Sequence, residues 1–462
     1  MSNVSNHDDT PLVSISQMVS YLEAGCKPSP SWRIGTEHEK FGFIRSQNDA
    51  QSYLPPPYSP NGIGAILSNL QKAHPDWKSV SDRDCLIGLT TDTGAGISLE
   101  PAGQFELSGT LLANLHETAQ ELKMHIQSVH QAADPMGIGF APLGFHPFAT
   151  RQQMPWMPKR RYEIMRAYMP KVGTMGLDMM QRTCTVQVNL DFSSEIDMAR
   201  KMRVSMALQP LATALFANSP FYEGKPSGYL STRAYVWTDT DNNRAGLPAS
   251  FFEDSFGFER YIEWLLDVPM YFVLRNGEMI DVAGASLREW MSGKAPKGLE
   301  GQRPTMEDFE NHVTVAFPDV RLKRYLEMRG ADAGSPDMML AMSALWVGLL
   351  YDEPTLLAAE KFLKEMPWQA YEALRPEVPK YGLSTSWRKG NLRNLLKPVV
   401  ELAIGGLKNR KVKNADLEDE AFYLNPLMEI AEGKPTQAEH WLNRYETVWK
   451  GDVKQIFEEA RI

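Results

Sequence analysis

The sequence predicts an α+β fold in which an antiparallel sheet is covered on one side by helices. Several segments between residues 34 and 329 alternate apolar and polar side chains with the two-residue period of a strand. Such strands have one face for a core and one for polar partners, which is typical of antiparallel sheets. From about residue 338 onward, nearly every segment has helical periodicity instead.

Composition indicates an ordinary globular protein. The chain has 462 residues, of which 43% are hydrophobic and 23% charged, and its net charge of −9 argues against nucleic acid as a partner. No apolar run approaches the ~18 residues of a membrane span, so no membrane partner is expected. Three separated cysteines without CxxC spacing indicate neither a zinc site nor a disulfide scaffold.

The first half of the chain mixes helices and strands. Residues 1–13 are predicted to be a disordered lead, and residues 14–462 a single domain, because no linker or internal repeat divides them. The predicted elements are a helix at 14–24, a strand at 34–43, a loop at 48–61, a helix at 63–72, two strand pieces within 86–109, a helix at 111–133 and a strand at 137–145.

The middle of the chain contains the most regular strand, at residues 182–192. Its even positions are apolar, from Cys184 to Phe192, and its odd positions include Gln187 and Asn189. A helix at 194–218 follows, capped by Ser193 or Ser194. Further predicted elements are strands at 228–237, 270–274 and 321–329 and a helix at 305–313.

Two carboxylates in the first predicted strand are close enough to repel each other. Glu37 and Glu39 are two residues apart, so they share one strand face at a spacing of ~6.6 Å, while His38 lies on the other face as a packing residue. At an effective dielectric constant of ~20, their repulsion is ~2.5 kcal/mol. Water removes most of that cost on an open surface, whereas in a cleft the pair requires a cation.

Other predicted strands add carboxylates to the same kind of polar face. Glu100, Glu106 and Glu327 are the additional acids, and Arg329 shares a strand face with Glu327. Hard cations such as Mg²⁺ bind carboxylate and phosphate oxygens, and an arginine stabilises a transferred phosphoryl group, so the pattern suits nucleotide chemistry. Two simpler interpretations remain open, namely a sheet face in water and a Glu327–Arg329 salt bridge.

Longer motifs are more specific than these pairs. They are GTEHEKFGF, ISLEPAGQFELSG, RRYEIMRAYMPKVG, GLDMMQRTCTVQVNLDFSSE, WTDTDNNRAG and RLKRYLEMRGAD. In this order they resemble the glutamate–cysteine ligases of the plant and proteobacterial type. The resemblance implies a glutamine-synthetase-like fold, a curved antiparallel sheet forming a funnel with helices packed outside. It also implies ATP- and Mg²⁺-dependent joining of the γ-carboxyl of L-glutamate to the amine of L-cysteine through a γ-glutamyl phosphate.

The resemblance also implies roles for individual residues. Glu39 and Arg329 would be catalytic. The implied metal ligands are Glu37, Glu39, Glu100, Glu106 and Glu327. The implied ATP contacts are Gln187, Asn189 and Arg329, and the implied amino-acid contacts are Arg161, Arg233 and Tyr271.

Several alternatives stay open at this point. A related γ-glutamyl ligase with another amine acceptor would fit the same motifs, and a metal-dependent hydrolase or a ligand-binding protein would fit the carboxylate pattern. The partners expected are small-molecule substrates, and both a monomer and a homodimer are compatible with the sequence. Because no transit-peptide pattern is visible, we expect a bacterial cytoplasmic enzyme.

Overall fold

The strand Ile34–Ile44 is the centre of one large sheet in the computed structural model, which describes residues 8–45, 51–363 and 367–462. The strands in these residues are β1 Ile34–Ile44, β2 Lys78–Asp82, β3 Cys85–Thr90, β4 Gly96–Leu99, β5 Phe105–Ser108, β6 Ile138–Ala141, β7 Thr185–Leu190, β8 Phe221–Tyr222, β9 Lys225–Pro226, β10 Ala245–Gly246, β11 Phe272–Arg275, β12 Glu278–Asp281, β13 Phe317–Pro318, β14 Val320–Leu322, β15 Leu326–Asp332, β16 Ser386–Trp387 and β17 Gly390–Asn391.

Helices make up most of the remaining regular structure. They are α1 Ile15–Glu23, α2 Ile63–Ala73, α3 Leu115–Ala133, α4 Arg160–Tyr168, α5 Gly176–Arg182, α6 Glu195–Leu215, α7 Thr232–Val236, α8 Phe258–Leu266, α9 Leu287–Met291, α10 Met306–Val313, α11 Pro336–Leu350, α12 Glu353–Leu363, α13 Trp368–Glu372, α14 Val378–Tyr381, α15 Leu392–Arg410, α16 Asn425–Ala431, α17 Gln437–Thr447 and α18 Gln455–Glu459. None of the helices in the described residues is long and apolar enough to cross a membrane.

The large sheet is antiparallel throughout. Its strand order is β14-β15-β7-β1-β5-β4-β3-β2, and β6 pairs with the second half of β1. The apolar side of β7, with Val186, Val188 and Leu190, packs into a core that includes helices α6 and α11. This arrangement confirms the predicted antiparallel sheet with helices on its apolar side.

Several predicted elements differ from the structure. The predicted strand at 228–237 is wrong, because Ser231 accepts a hydrogen bond from the amide of Ala234 and thereby caps helix α7. The strand predicted at 182–192 is shorter, since its first residues end helix α5. The single strand predicted at 321–329 is a hairpin, closed by a hydrogen bond from Lys323 N to Tyr325 O of 2.9 Å. The region 86–109 contains three strands rather than two.

The described residues of the predicted N-terminal lead are ordered. Residues 1–7 of the predicted lead, and residues 48–50 of the predicted loop at 48–61, lie outside the described residues. In residues 8–13, the amide of Leu12 donates to the carbonyl of Pro304, and Thr10 accepts from the amide of Met306. This segment is therefore attached to the start of helix α10.

Helices α11 and α15 cross in close backbone contact. A Cβ atom added at Gly406 would lie 1.9 Å from the carbonyl oxygen of Gly348, whereas one added to the neighbouring Gly405 would meet nothing within 4 Å. The absence of a side chain at Gly406 is thus a packing requirement. Because α11 packs against β7, the crossing also supports the sheet from behind.

This crossing gives a matched pair of variants. We expect Gly406→Ala to lower the free energy of unfolding by ~2–3 kcal/mol, because the new methyl group forces the helices apart. Gly405→Ala should instead raise it by ~0.5–1 kcal/mol, since alanine favours the helix and meets no neighbour. Urea titrations followed by circular dichroism measure both, and equal effects of the two substitutions would contradict the packing argument.

Candidate active site

The strand register collects the predicted polar residues on one face of the sheet. Residues directly opposite each other on antiparallel strands project to the same side. Three neighbouring rows result, which are Ser98–Glu106–Glu39, Ser108–Glu37–Gln187 and Arg321–Glu327–Asn189. Four of the five predicted metal-binding glutamates lie in these rows, and Glu100 follows the end of β4.

The first row, together with Glu100, brings three carboxylates close to one another. The carboxylate of Glu39 accepts a hydrogen bond of 2.9 Å from the amide of Thr185. Burial, together with the charges of Glu100 and Glu106, nevertheless raises the pKa of Glu39 well above its usual range. Burial and the charge of Glu106 raise the pKa of Glu100 to about 7. This end of the face therefore favours a bound cation or a proton.

Hydroxyl groups hold these acids in place. Glu106 accepts hydrogen bonds from Ser98 Oγ, at 2.5 Å, and from Ser108 Oγ, at 3.2 Å. Glu100 accepts one from the Tyr162 hydroxyl at 3.3 Å. Sequence reasoning assigned no role to these partners, although the two serines flank Glu106 within the motif ISLEPAGQFELSG.

Beside the middle row, Asn189 of the third row provides an unused acceptor. Asn189 Nδ2 donates to Glu37 at 3.0 Å, but its buried Oδ1 atom has no hydrogen-bond partner in the part of the chain that the structure describes. Gln187 accepts a hydrogen bond from Arg329. A buried oxygen without a partner is costly, so Asn189 is a site for a ligand that donates a hydrogen bond or for a metal ion.

The third row is cationic. Glu327 is fully buried, and both of its oxygens accept from Arg321, at 2.5 and 3.0 Å. Arg329 and Lys323 lie farther from the same carboxylate, at 3.2 and 3.4 Å. Burial alone would raise the pKa of Glu327, yet the three cations hold it well below its usual range. Glu327 is therefore already compensated, unlike Glu39.

Arg321 lies opposite Glu327 because the chain forms a hairpin between them. The sequence placed both residues, with Arg329, on one face of a single predicted strand. A continuous strand would keep Arg321 and Glu327 far apart along its length, so their bidentate pair was missed. The position of the turn at residues 323–325 was the signal that would have revealed it.

The three predicted amino-acid contacts have different environments. Arg233, on α7, donates to the carbonyl of Arg329 at 2.9 Å and so borders the polar face. The guanidinium of Arg161, on α4, lies 5.5 Å from the centre of the Phe272 ring. Tyr271 is fully buried, and its hydroxyl contacts the sulfur of Met169 at 3.7 Å. The structure thus does not bring Tyr271 to the open face.

Asp332, at the end of β15, is a further residue without a predicted role. It accepts hydrogen bonds from the hydroxyls of Ser219, at 2.6 Å, and Ser231, at 2.8 Å, and lies 3.9 Å from Arg233. Since Ser231 caps helix α7, Asp332 fixes the element that carries Arg233. It lies in the RGAD segment of the last quoted motif, which was the available signal.

His38, expected on the opposite side of β1, is indeed buried and packs against His125 with ring centroids 5.3 Å apart.

In the described residues no three His, Cys, Asp or Glu side chains already converge on one point as a metal cage. Mg²⁺ commonly uses one or two carboxylates together with substrate phosphates, so the acidic row suits that mode.

Comparison with known proteins identifies the family. Residues 33–459 match the sequence pattern of glutamate-cysteine ligase family 2, GCS2. The chain belongs to this family. The family membership predicted from the motifs is confirmed.

Plant members of the GCS2 family are close relatives. The chain is 50% identical to the chloroplastic glutamate–cysteine ligase B of Oryza sativa subsp. japonica over 442 residues. The aligned region covers 96% of this chain and 86% of the relative. It is 50% identical to the chloroplastic enzyme of Nicotiana tabacum and 49% identical to that of Arabidopsis thaliana, in each case over 96% of this chain and 82% of the relative.

A solved structure supports the fold of this GCS2 member. Glutamate–cysteine ligase from Francisella tularensis, in complex with AMP, superposes with a TM-score of 0.54 at 12% identity, covering 93% of this chain and 88% of that chain. The predicted fold class is confirmed.

The predicted bacterial cytoplasmic location is wrong, because the relatives from Oryza sativa, Nicotiana tabacum and Arabidopsis thaliana are chloroplastic plant enzymes.

The buried Arg321–Glu327 pair gives a stability prediction for this face. We expect Arg321→Met to lower the free energy of unfolding by ~3 kcal/mol, because Glu327 loses both close donors and stays buried. The double variant Arg321→Met/Glu327→Gln should recover about half of the loss, since it removes the buried charge that Arg321 balanced and that only the longer contacts to Lys323 and Arg329 would still balance. Urea denaturation at neutral pH provides the comparison, and a double variant less stable than Arg321→Met would refute the explanation.

Proposed function

We propose that the protein is a glutamate–cysteine ligase, which joins the γ-carboxyl of L-glutamate to the amine of L-cysteine with cleavage of ATP to ADP and phosphate. The single observation that carries this proposal is ~50% identity to plant glutamate–cysteine ligases over 96% of the chain. That span includes every residue of the three polar rows. The product is γ-glutamylcysteine, the first intermediate of glutathione synthesis.

The charge distribution of the face supports this chemistry. A carboxylate attacks the γ-phosphorus of ATP, ADP leaves, and the resulting acyl phosphate has a good leaving group. The amine then attacks the carbonyl carbon, phosphate departs, and the amine loses a proton. The protein must stabilise charge on phosphate oxygens, for which the cationic row around Glu327 is suited. In the proposal Arg329 contacts the transferred phosphoryl group.

The acidic end fits Mg²⁺. Its donors are carboxylate oxygens, which hard divalent cations prefer, and burial together with the charges of neighbouring glutamates raises the pKa of Glu39 and Glu100. We propose Glu37, Glu39, Glu100 and Glu106 as the residues that would hold magnesium, with Asn189 Oδ1 beside them. Bound magnesium would supply charge neutralisation for the phosphates. Glu327 differs from the other four, and we propose that it anchors Arg321, Lys323 and Arg329 instead.

The remaining predicted contacts keep their proposed roles with one change. Gln187 orients Arg329 through their hydrogen bond and is proposed, with Asn189, to lie beside the nucleotide. Arg233 and Arg161 are proposed to bind carboxylates of the amino acids, because guanidinium groups pair with carboxylates in two parallel hydrogen bonds. For Tyr271 we propose an indirect role, since it supports Arg244, whose guanidinium lies 3.9 Å from the Tyr271 ring centre.

The proposed activity can be tested directly. ADP release should require L-glutamate, L-cysteine and Mg²⁺ together, and mass spectrometry should detect γ-glutamylcysteine in equal amount to ADP. L-alanine and other amines serve as the comparison, because a related ligase with another acceptor would release ADP faster with one of them. ATP hydrolysis without any γ-glutamyl product would overturn the ligase assignment.

Glu39 offers the sharpest test of the acidic end. We expect Glu39→Gln to lower kcat by ~10²-fold or more, because the substitution keeps the shape of the side chain but removes a negative charge from the proposed metal-binding group. Glu429→Gln, at an exposed glutamate of helix α16, is the matched control and should leave kcat unchanged. Steady-state kinetics at saturating Mg²⁺ measure both variants. Near-normal turnover of Glu39→Gln would remove this residue from the proposed site.

A further inference from the structure

A pocket opens beside the cationic row and contains a residue that the proposed function has not used. Its lining includes Arg233, Arg329 and Arg375, the ring systems of Trp237 and Phe317, and apolar side chains around them. Arg233 and Arg329 belong to the face described above. Arg375 comes instead from the helical C-terminal part, between helices α13 and α14.

Arg375 has hydrogen-bonding capacity to spare. Its Nη2 atom donates to the carbonyl of Trp237 at 3.0 Å, and its Nε atom is 4.0 Å from Asp319. Within the described residues its side chain makes no other hydrogen bond or ion pair, and 23% of that side chain is exposed. By contrast, Arg321 is fully engaged with Glu327.

The surroundings of Arg375 are shaped to admit its guanidinium. A Cβ atom added at Gly246 would lie 2.8 Å from Arg375 Cζ, so the missing side chain leaves room for this group. Gly246 also has φ of +91°, a backbone conformation that favours glycine. Trp237, another residue of the lining, has a buried Nε1 atom that lacks a hydrogen-bond partner among the described residues.

The pocket therefore offers more cationic groups than acids. Three arginines line it, Arg233, Arg329 and Arg375, whereas Asp319 is the one carboxylate among the described residues of its lining. The walls are aromatic and apolar, with the Trp237 and Phe317 rings 5.8 Å apart and edge to face. A small organic anion fits such a lining better than a free metal–phosphate group does.

We propose that Arg375 binds the α-carboxylate of an amino-acid substrate in this pocket and so helps to determine substrate specificity. The proposal rests on the ligase function proposed above. The planar guanidinium would pair with the carboxylate through two N–H groups, next to Arg233. The helical C-terminal part thereby contributes to the site as well as to the core.

Kinetics of two Arg375 variants test this proposal. Arg375→Met should raise the KM of L-glutamate or of L-cysteine about tenfold or more, with kcat within about threefold and the KM of ATP unchanged. Arg375→Lys should restore part of the loss, because it keeps the charge but not the two-pronged geometry. Arg388→Met, at an exposed arginine elsewhere in the C-terminal part, is the control and should match the unsubstituted protein.

A binding experiment separates this inference from the proposed function. Calorimetric titration with L-glutamate and with L-cysteine should show that Arg375→Met weakens binding of one of them, while its melting temperature stays close to that of the unsubstituted protein. If the protein binds an amino acid through Arg375 but forms no γ-glutamyl product, the ligase function fails and this inference stands. Unchanged KM values for both amino acids, or a rise confined to ATP, would overturn the inference.

Discussion

Compensation of buried charge is the constraint on which this structure depends. All residues of β1 except Ile44 are buried, yet the strand contains Glu37, Glu39 and Lys40. Lys40 donates to the carbonyl of Phe105, and burial lowers its pKa to about 7. A buried charge is tolerated only when partners or a ligand balance it. The polar face of the sheet is accordingly organised by which charges have internal partners and which do not.

The buried charges at the two ends of the polar face are balanced in different ways. At one end, two nitrogens of the Arg321 guanidinium bind the two carboxylate oxygens of Glu327, and Lys323 and Arg329 lie beside the same carboxylate. At the other end, Glu39, Glu100 and Glu106 lie together, and burial with the charges of the neighbouring acids raises the pKa values of Glu39 and Glu100. The first end is balanced by its own side chains. The second end favours a cation or a proton from solution.

The sequence predicted the parts of this site that local patterns encode. Alternation in β7 placed Gln187 and Asn189 on one face, and the Ser194 cap located the start of α6 correctly. Local patterns did not predict which residues pair across strands. The turn between Arg321 and Glu327 determines that pairing, and the periodicity of the sequence does not reveal where the turn lies. The strand predicted at 228–237 failed because the Ser231 cap outweighed β-branched and aromatic residues. Arg375 lies 46 residues beyond Arg329 in the sequence (375 − 329), and no local pattern links the two.

The separation of charge along the sheet has an electrostatic consequence. A face that is negative at Glu106, on β5, and positive at Arg329, on β15, has a dipole lying in the plane of the sheet, across β1 and β7. A complex of a divalent cation with a polyphosphate has its own charge separation, so the field would favour one of its two orientations before any close contact forms. Polarity, and not shape alone, would then determine which way round such a ligand enters.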